Sequence, residues 1–430
     1  MNSQRTLNHP LRLALAGEMH ARPFMRIEPP ERVLHLALFA GDALERHHAW
    51  LGELCECFGV SAPQRGASYF FHDFGPWRLK WENHSEFSTY TFAFRGDGSG
   101  DFADDLLRRL PQAWLGQLAG NVISAAQLAF VSAGGQPLAA SDPWLRTQFS
   151  GPLIAGARVM AGGEVWSDFL VQPDGVSRFL LRDVGLREFQ AGRLSQRVLE
   201  IDTYRMMALL ALPVARECQP VIREAEAALA AISGELAAAD SPEAERSLLE
   251  RLTRLSARIE AMAEANNYRF SASAAYFSII RARLQELREE RIEGVPTLGE
   301  FMERRLVPAM EFCESVRRRQ HELIERLSRT DSLLRTRVTM TQERYNSAIL
   351  ASLNKRAELQ LRLQHAVEGF SIVAISYYLL GVPVEAELAT GLALPLVVGA
   401  VWFAVRRAQR ALHRGHPPED PAPAPAVSSG

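Results

Sequence analysis

Gly369–Val384 reads GFSIVAISYYLLGVPV and Leu388–Val405 reads LATGLALPLVVGAVWFAV, two stretches without a charged side chain over 16 and 18 residues. At 1.5 Å per residue they extend about 24 and 27 Å, close to the roughly 30 Å hydrocarbon core of a bilayer. Read this way they form a hairpin of two transmembrane helices, the shorter one helped by Ala366 and Val367 or by local thinning of the bilayer. Lys355, Arg356 and Arg362 precede the first span, and Arg406, Arg407, Arg410 and Arg414 follow the second. The turn at 385–387 holds Glu385 and Glu387 as its only charges. Basic flanks stay inside, so the expected location is a cytoplasmic (inner) membrane, with both termini cytoplasmic and the acidic turn outside. Beyond residue 405 the tail is basic, then rich in Pro and Ala, and is expected to be disordered.

Upstream of the hairpin, residues 187–368 have the Leu, Ala, Glu and Arg texture of long helices. Ile222, Ala225, Leu229, Ile232 and Leu236 step by three and four, and so do Leu248, Leu252, Leu255, Ile259 and Met262. Asp240-Ser241-Pro242 and Gly294-Val295-Pro296 interrupt the pattern. Between Pro308 and Gly369 there is neither Pro nor Gly, which predicts one helix of roughly 60 residues, packed on sister helices or on copies of the chain.

Residues 1–186 read as mixed α/β. Val33–Phe39 has strand length, and Gly41-Asp42 precedes an amphipathic helix carrying Leu44, Leu51, Leu54 and Phe58. Ser68–Phe74 and Phe87–Phe94 have the Phe, Tyr and Thr content of half-buried strands. A second amphipathic helix is expected to carry Phe102, Leu106, Leu110 and Trp114. Val122–Val131, Arg158–Met160 and Val165–Val171 suggest further strands, the last ending in the turn Pro173-Asp174-Gly175. Such alternation favours a sheet covered by helices. The fold class expected is therefore an α/β cytoplasmic domain, a long helical coiled-coil region and a two-helix transmembrane hairpin.

A formal charge of −2 over 430 residues argues against a nucleic-acid-binding surface. Lys80 and Lys355 are the only lysines, a bias that GC-rich codon usage explains, and no Gly-rich loop is followed by Lys as a phosphate loop requires. Cysteines at 55, 57, 218 and 313 are too few and too scattered for a disulfide framework or a four-cysteine zinc site. The apolar run Leu11–Ala16 is short and interrupted by Arg12, so no signal peptide is expected. H-E-x-x-H, G-x-S-x-G and G-x-G-x-x-G are missing, and no enzymatic activity is expected.

Asn8-His9-Pro10-Leu11-Arg12, His20-Ala21-Arg22-Pro23, Trp81–Tyr90 (WENHSEFSTY), Glu200–Met206 (EIDTYRM) and Val367–Ser371 (VEGFS) carry a resemblance. Along nearly its whole length the chain resembles a bacterial family of uncharacterised membrane-anchored proteins, domain of unknown function 3422. In plan alone it is also similar to CorA-type magnesium channels, which are homo-pentamers with a pore lined by the first span. Their Gly-Met-Asn signature is replaced here by Leu380-Gly381-Val382-Pro383.

Two sets of site residues follow. Gln364, Glu368, Ser371, Ile375 and Tyr378 share one helical stripe, readable either as a pore lining or as helix–helix packing, and Glu385 and Glu387 would concentrate cations at a mouth. In a strand, Glu82, His84 and Glu86 face one side and, joined by His20, would form a metal site; an exposed charged face explains the same pattern. The expectation is a non-enzymatic, membrane-anchored, homo-oligomeric scaffold or sensor, with a CorA-like cation channel as the alternative. Its partners are the lipid bilayer and copies of itself, not nucleic acid. No cofactor is expected, a divalent cation being the one alternative.

Overall fold

Alternation of side chains along β1 (Glu31–Phe39) and β4 (Phe87–Arg95) organises the molecule. Leu34, Leu36 and Leu38 point to one face of the sheet together with Tyr90, Phe92 and Phe94, and they meet the apolar side of α1 (Leu44–Cys57) through Trp50, Leu51 and Leu54. Val33, His35 and Ala37 point to the other face with Phe87, Thr89 and Thr91. The computed structural model describes residues 23–380 except 42, 135, 136 and 240, and scattered positions between 9 and 16 and between 395 and 407.

Among the described residues nine strands form one sheet in the order β2-β3-β4-β1-β5-β8-β7-β6-β9. Besides β1 and β4 they are β2 (Tyr69–Asp73), β3 (Trp77–Asn83), β5 (Val122–Ser132), β6 (Ala155–Val159), β7 (Gly163–Ser167), β8 (Ser177–Asp183) and the two-residue β9 (Glu290–Arg291). Neighbours are antiparallel except β5 and β8. The helix expected over Phe102–Trp114 is broken. A 3-10 turn at Leu106–Arg109 is followed by α2 (Gln112–Gln117), because Pro111 stands between them with extended backbone. A short α3 (Pro143–Gln148) follows β5.

After the sheet come α4 (Gln190–Leu209), α5 (Ala211–Ala238), α6 (Pro242–Leu287), α7 (Leu298–Arg305) and α8 (Val307–Leu380). Leu194, Val198 and Ile201 of α4 bury against Leu128, Phe130 and Phe179 of the sheet, and Tyr276 and Ile280 of α6 join the same core. The chain divides into two units: residues 1–239 with 247–332, which hold the sheet, and residues 240–246 with 333–430. In the second unit Arg337 pairs with Glu245 at 2.6 Å.

The transmembrane hairpin requires correction. Among the described residues no helix is long and apolar enough to cross a membrane. Within the described residues the charge-free part of α8 runs from Gly369 to Leu380, about 18 Å of helix, and the turns before it carry Lys355, Arg356, Glu358, Arg362 and Glu368. Glu385, Glu387 and most of 388–405 lie outside the described residues. The fold observed is an α/β sheet with long helices. The inner-membrane location, its orientation and any role in ion transport are not supported.

Candidate functional site

Where α4 crosses β1, β3 and β4, the sheet face beneath it is polar. The register sets two neighbouring cross-strand rows: Lys80, Thr91 and His35 in one, Glu82, Thr89 and Ala37 in the next. Successive same-face rows on a strand lie about 7 Å apart. Ser195, Leu199 and Thr203 recur every fourth residue on α4, so they stand over these rows on one helix face, with Gln196 and Glu200 beside them. Met25 and Ile27 close one side and Arg283 of α6 another, leaving a cavity of about 260 Å³. Gly192 permits the close approach of the N-terminal segment: a Cβ there would stand 2.2 Å from the Met25 carbonyl oxygen.

Most polar groups in the wall are engaged. Lys80 Nζ lies 2.9 Å from Glu82 Oε2, and the lysine side chain is only 3% exposed. His35 spans the cavity floor, Nδ1 at 2.8 Å from Thr91 Oγ1 and Nε2 at 3.0 Å from Thr203 Oγ1. Burial, assisted by the nearby Lys80 charge, pushes the His35 pKa down to about 3, so the ring is neutral. On the helical side Glu200 accepts from Gln196 at 2.7 Å and pairs with Arg283, which also reaches Glu286 at 2.8 Å. The exception is Thr89. Its side chain is buried and lines the cavity, yet its Oγ1 has no hydrogen-bond partner among the described residues.

Of the predicted metal quartet, the three described members do not converge. β3 ends at Asn83, so strand alternation does not extend over the turn His84-Ser85-Glu86. Glu82 and His84 line the cavity, the imidazole stacked on Phe87 with ring centroids 4.3 Å apart. Glu86 turns towards α6, where Arg269 lies at 2.5 Å and the Tyr276 hydroxyl donates to it at 2.6 Å. Burial and this carboxylate raise the Tyr276 pKa well above its ordinary value. His20 lies outside the described residues. Among those described, no group of three His, Cys, Asp or Glu side chains is placed to hold a metal.

Of the proposed pore stripe, Gln364, Ser371 and Ile375 are exposed on α8 and Glu368 is half-buried. Ser371 donates to the Val367 carbonyl at 2.9 Å, and the Tyr378 side chain lies outside what is described. Sequence reasoning passed over His35, Lys80, Thr89, Thr91 and Thr203. The signal for them was the alternation of Thr89 and Thr91 with Tyr90, Phe92 and Phe94, which normally marks a face turned to water.

The family model for a protein of unknown function, DUF3422, matches residues 7–412. The chain belongs to this family. Nothing among curated proteins matches it, and the match gives no support to a likeness with CorA-type channels. Of the segments through which the chain resembles DUF3422 proteins, two meet at the cavity: Trp81–Tyr90 supplies Glu82, His84, Phe87 and Thr89, and Glu200–Met206 supplies Glu200, Thr203 and Tyr204.

Proposed function

We propose that this DUF3422 chain is a non-enzymatic binding module that holds a compact polar molecule in the cavity between α4 and the sheet, the step by which a sensor works. The Thr89 hydroxyl carries this reading. A buried hydroxyl without a partner costs free energy and calls for an explanation, and among the described residues Thr89 is the one such group that lines the cavity. The walls suit a guest smaller than drug-sized, since larger ligands occupy roughly 300–1,000 Å³. Ligand-observed NMR on the full chain with a panel of small polar molecules tests it. At least one should bind saturably, and Ser195→Leu, which fills the cavity from α4, should abolish that binding. Binding that survives Ser195→Leu contradicts the assignment.

A second reading is self-association through α8, favoured by its exposed apolar residues. Tyr345, Ile349 and Leu353 step by four along the helix, as do Leu359, Leu363 and Val367, and all six are exposed. A second copy of the same helix supplies an apolar face of matching kind, as in a coiled coil.

A further inference from the structure

The cavity wall holds two ion pairs, and these bear on the chemistry of the guest. Lys80 with Glu82 lies on the sheet, and Arg283 with Glu200 on the helical side. With His35 neutral, these four lining groups balance to zero charge. The remaining surface is largely apolar, from Met25, Ile27, Val33, Phe87 and Leu199. A guest with a single charge would draw one member of a buried pair to itself and leave the other without a counter-charge, which is strongly unfavourable. A neutral guest leaves both pairs intact but gives no reason for burying Lys80 with Glu82, because a buried pair is at best no more stable than apolar residues in its place. A guest with both charges gives each member a new partner.

Resting on the reading of this cavity as a ligand site, we propose that it takes a small zwitterion with an apolar side chain, the chemistry of an aliphatic α-amino acid. The carboxylate is met by Lys80 in one cross-strand row and the ammonium by Glu82 in the next, where the Thr89 hydroxyl accepts a further hydrogen bond. The hydrocarbon rests against Val33, Phe87 and Leu199.

Isothermal titration of the full chain with L-alanine, L-valine and L-leucine tests this, with isobutylamine and isovalerate as valine analogues lacking one charge each and glycerol as a neutral control. At least one amino acid should bind saturably, and each single-charge analogue at least about 100-fold more weakly than valine. Lys80→Met with Glu82→Met, which removes the pair together and leaves no orphan charge, should lose amino-acid binding while remaining folded. The zwitterion assignment is overturned if an analogue or glycerol binds as tightly as valine, or if the double variant still binds. It is also overturned if the only molecule sensitive to Ser195→Leu is an ion of one sign or a neutral one, in which case the cavity remains a ligand site. Should no small polar molecule bind at all, both readings fall.

Discussion

At the scale of single residues, His35 makes the environment measurable. Its pKa of about 3 in the folded chain lies below the ordinary value near 6.5, so between these limits the unfolded chain binds more protons. Acid therefore favours unfolding. The stability that comes from keeping the ring neutral is fully present above about pH 6.5 and is lost progressively towards pH 3, at up to about 1.4 kcal/mol per pH unit. His47, pushed down to about 4 chiefly by burial, works in the same sense. Denaturant unfolding across this range should show a steeper pH dependence in the wild type than in His35→Gln, by up to one proton; equal slopes would contradict a buried neutral ring. Little of this was legible in the sequence. A histidine inside Val33–Phe39 reads as an interruption in an apolar strand, and its partners, Thr91 and Thr203, stand 56 and 168 residues away. Glu82, His84 and Glu86 show the opposite failure: their spacing suggested convergence, and the turn after Asn83 sends Glu86 away to Arg269 and Tyr276.

At the scale of elements, β3 is where pattern and burial part company. Trp81 and Leu79 face the aromatic core, while Lys80 and Glu82 face α4, so both sides of the strand are buried. Lys80→Ala alone should cost about 3–5 kcal/mol by stranding the Glu82 carboxylate, and Lys80→Met with Glu82→Met should cost clearly less. Unfolding free energies of the two single variants and the double variant form the cycle; additive losses would show that the pair is not coupled. The helical elements were far easier to read. Pro242 opens α6, and the run without Pro or Gly between Pro308 and Gly369 lies inside the 74-residue α8, because helix periodicity and its breakers are local properties. β3 and β8 went unread: both interleave charged residues with apolar ones, and their partners β2 and β4, and β5 and β7, make them strands. The hairpin expectation rested on the same local reasoning, which measures apolar length alone; among the described residues no helix is long and apolar enough to cross a membrane.

At the scale of the whole molecule, the sheet with its helical cover was legible in outline, whereas the cavity was not, since it exists only where three strands, two helices and the N-terminal segment come together. Self-association belongs to this scale. Sedimentation of the full chain should show a concentration-dependent oligomer that Ile349→Glu weakens by at least tenfold, and a monomer at all concentrations would contradict it. The central claim is that the polar layer under α4 is kept for a ligand rather than for the fold. Thr89→Val tests it most directly, by unfolding without ligand and by binding of whichever small molecule the wild type takes. The prediction is a gain of about 1 kcal/mol in stability, from removing an unpartnered buried hydroxyl, together with binding at least tenfold weaker. Lower stability with unchanged binding would contradict it.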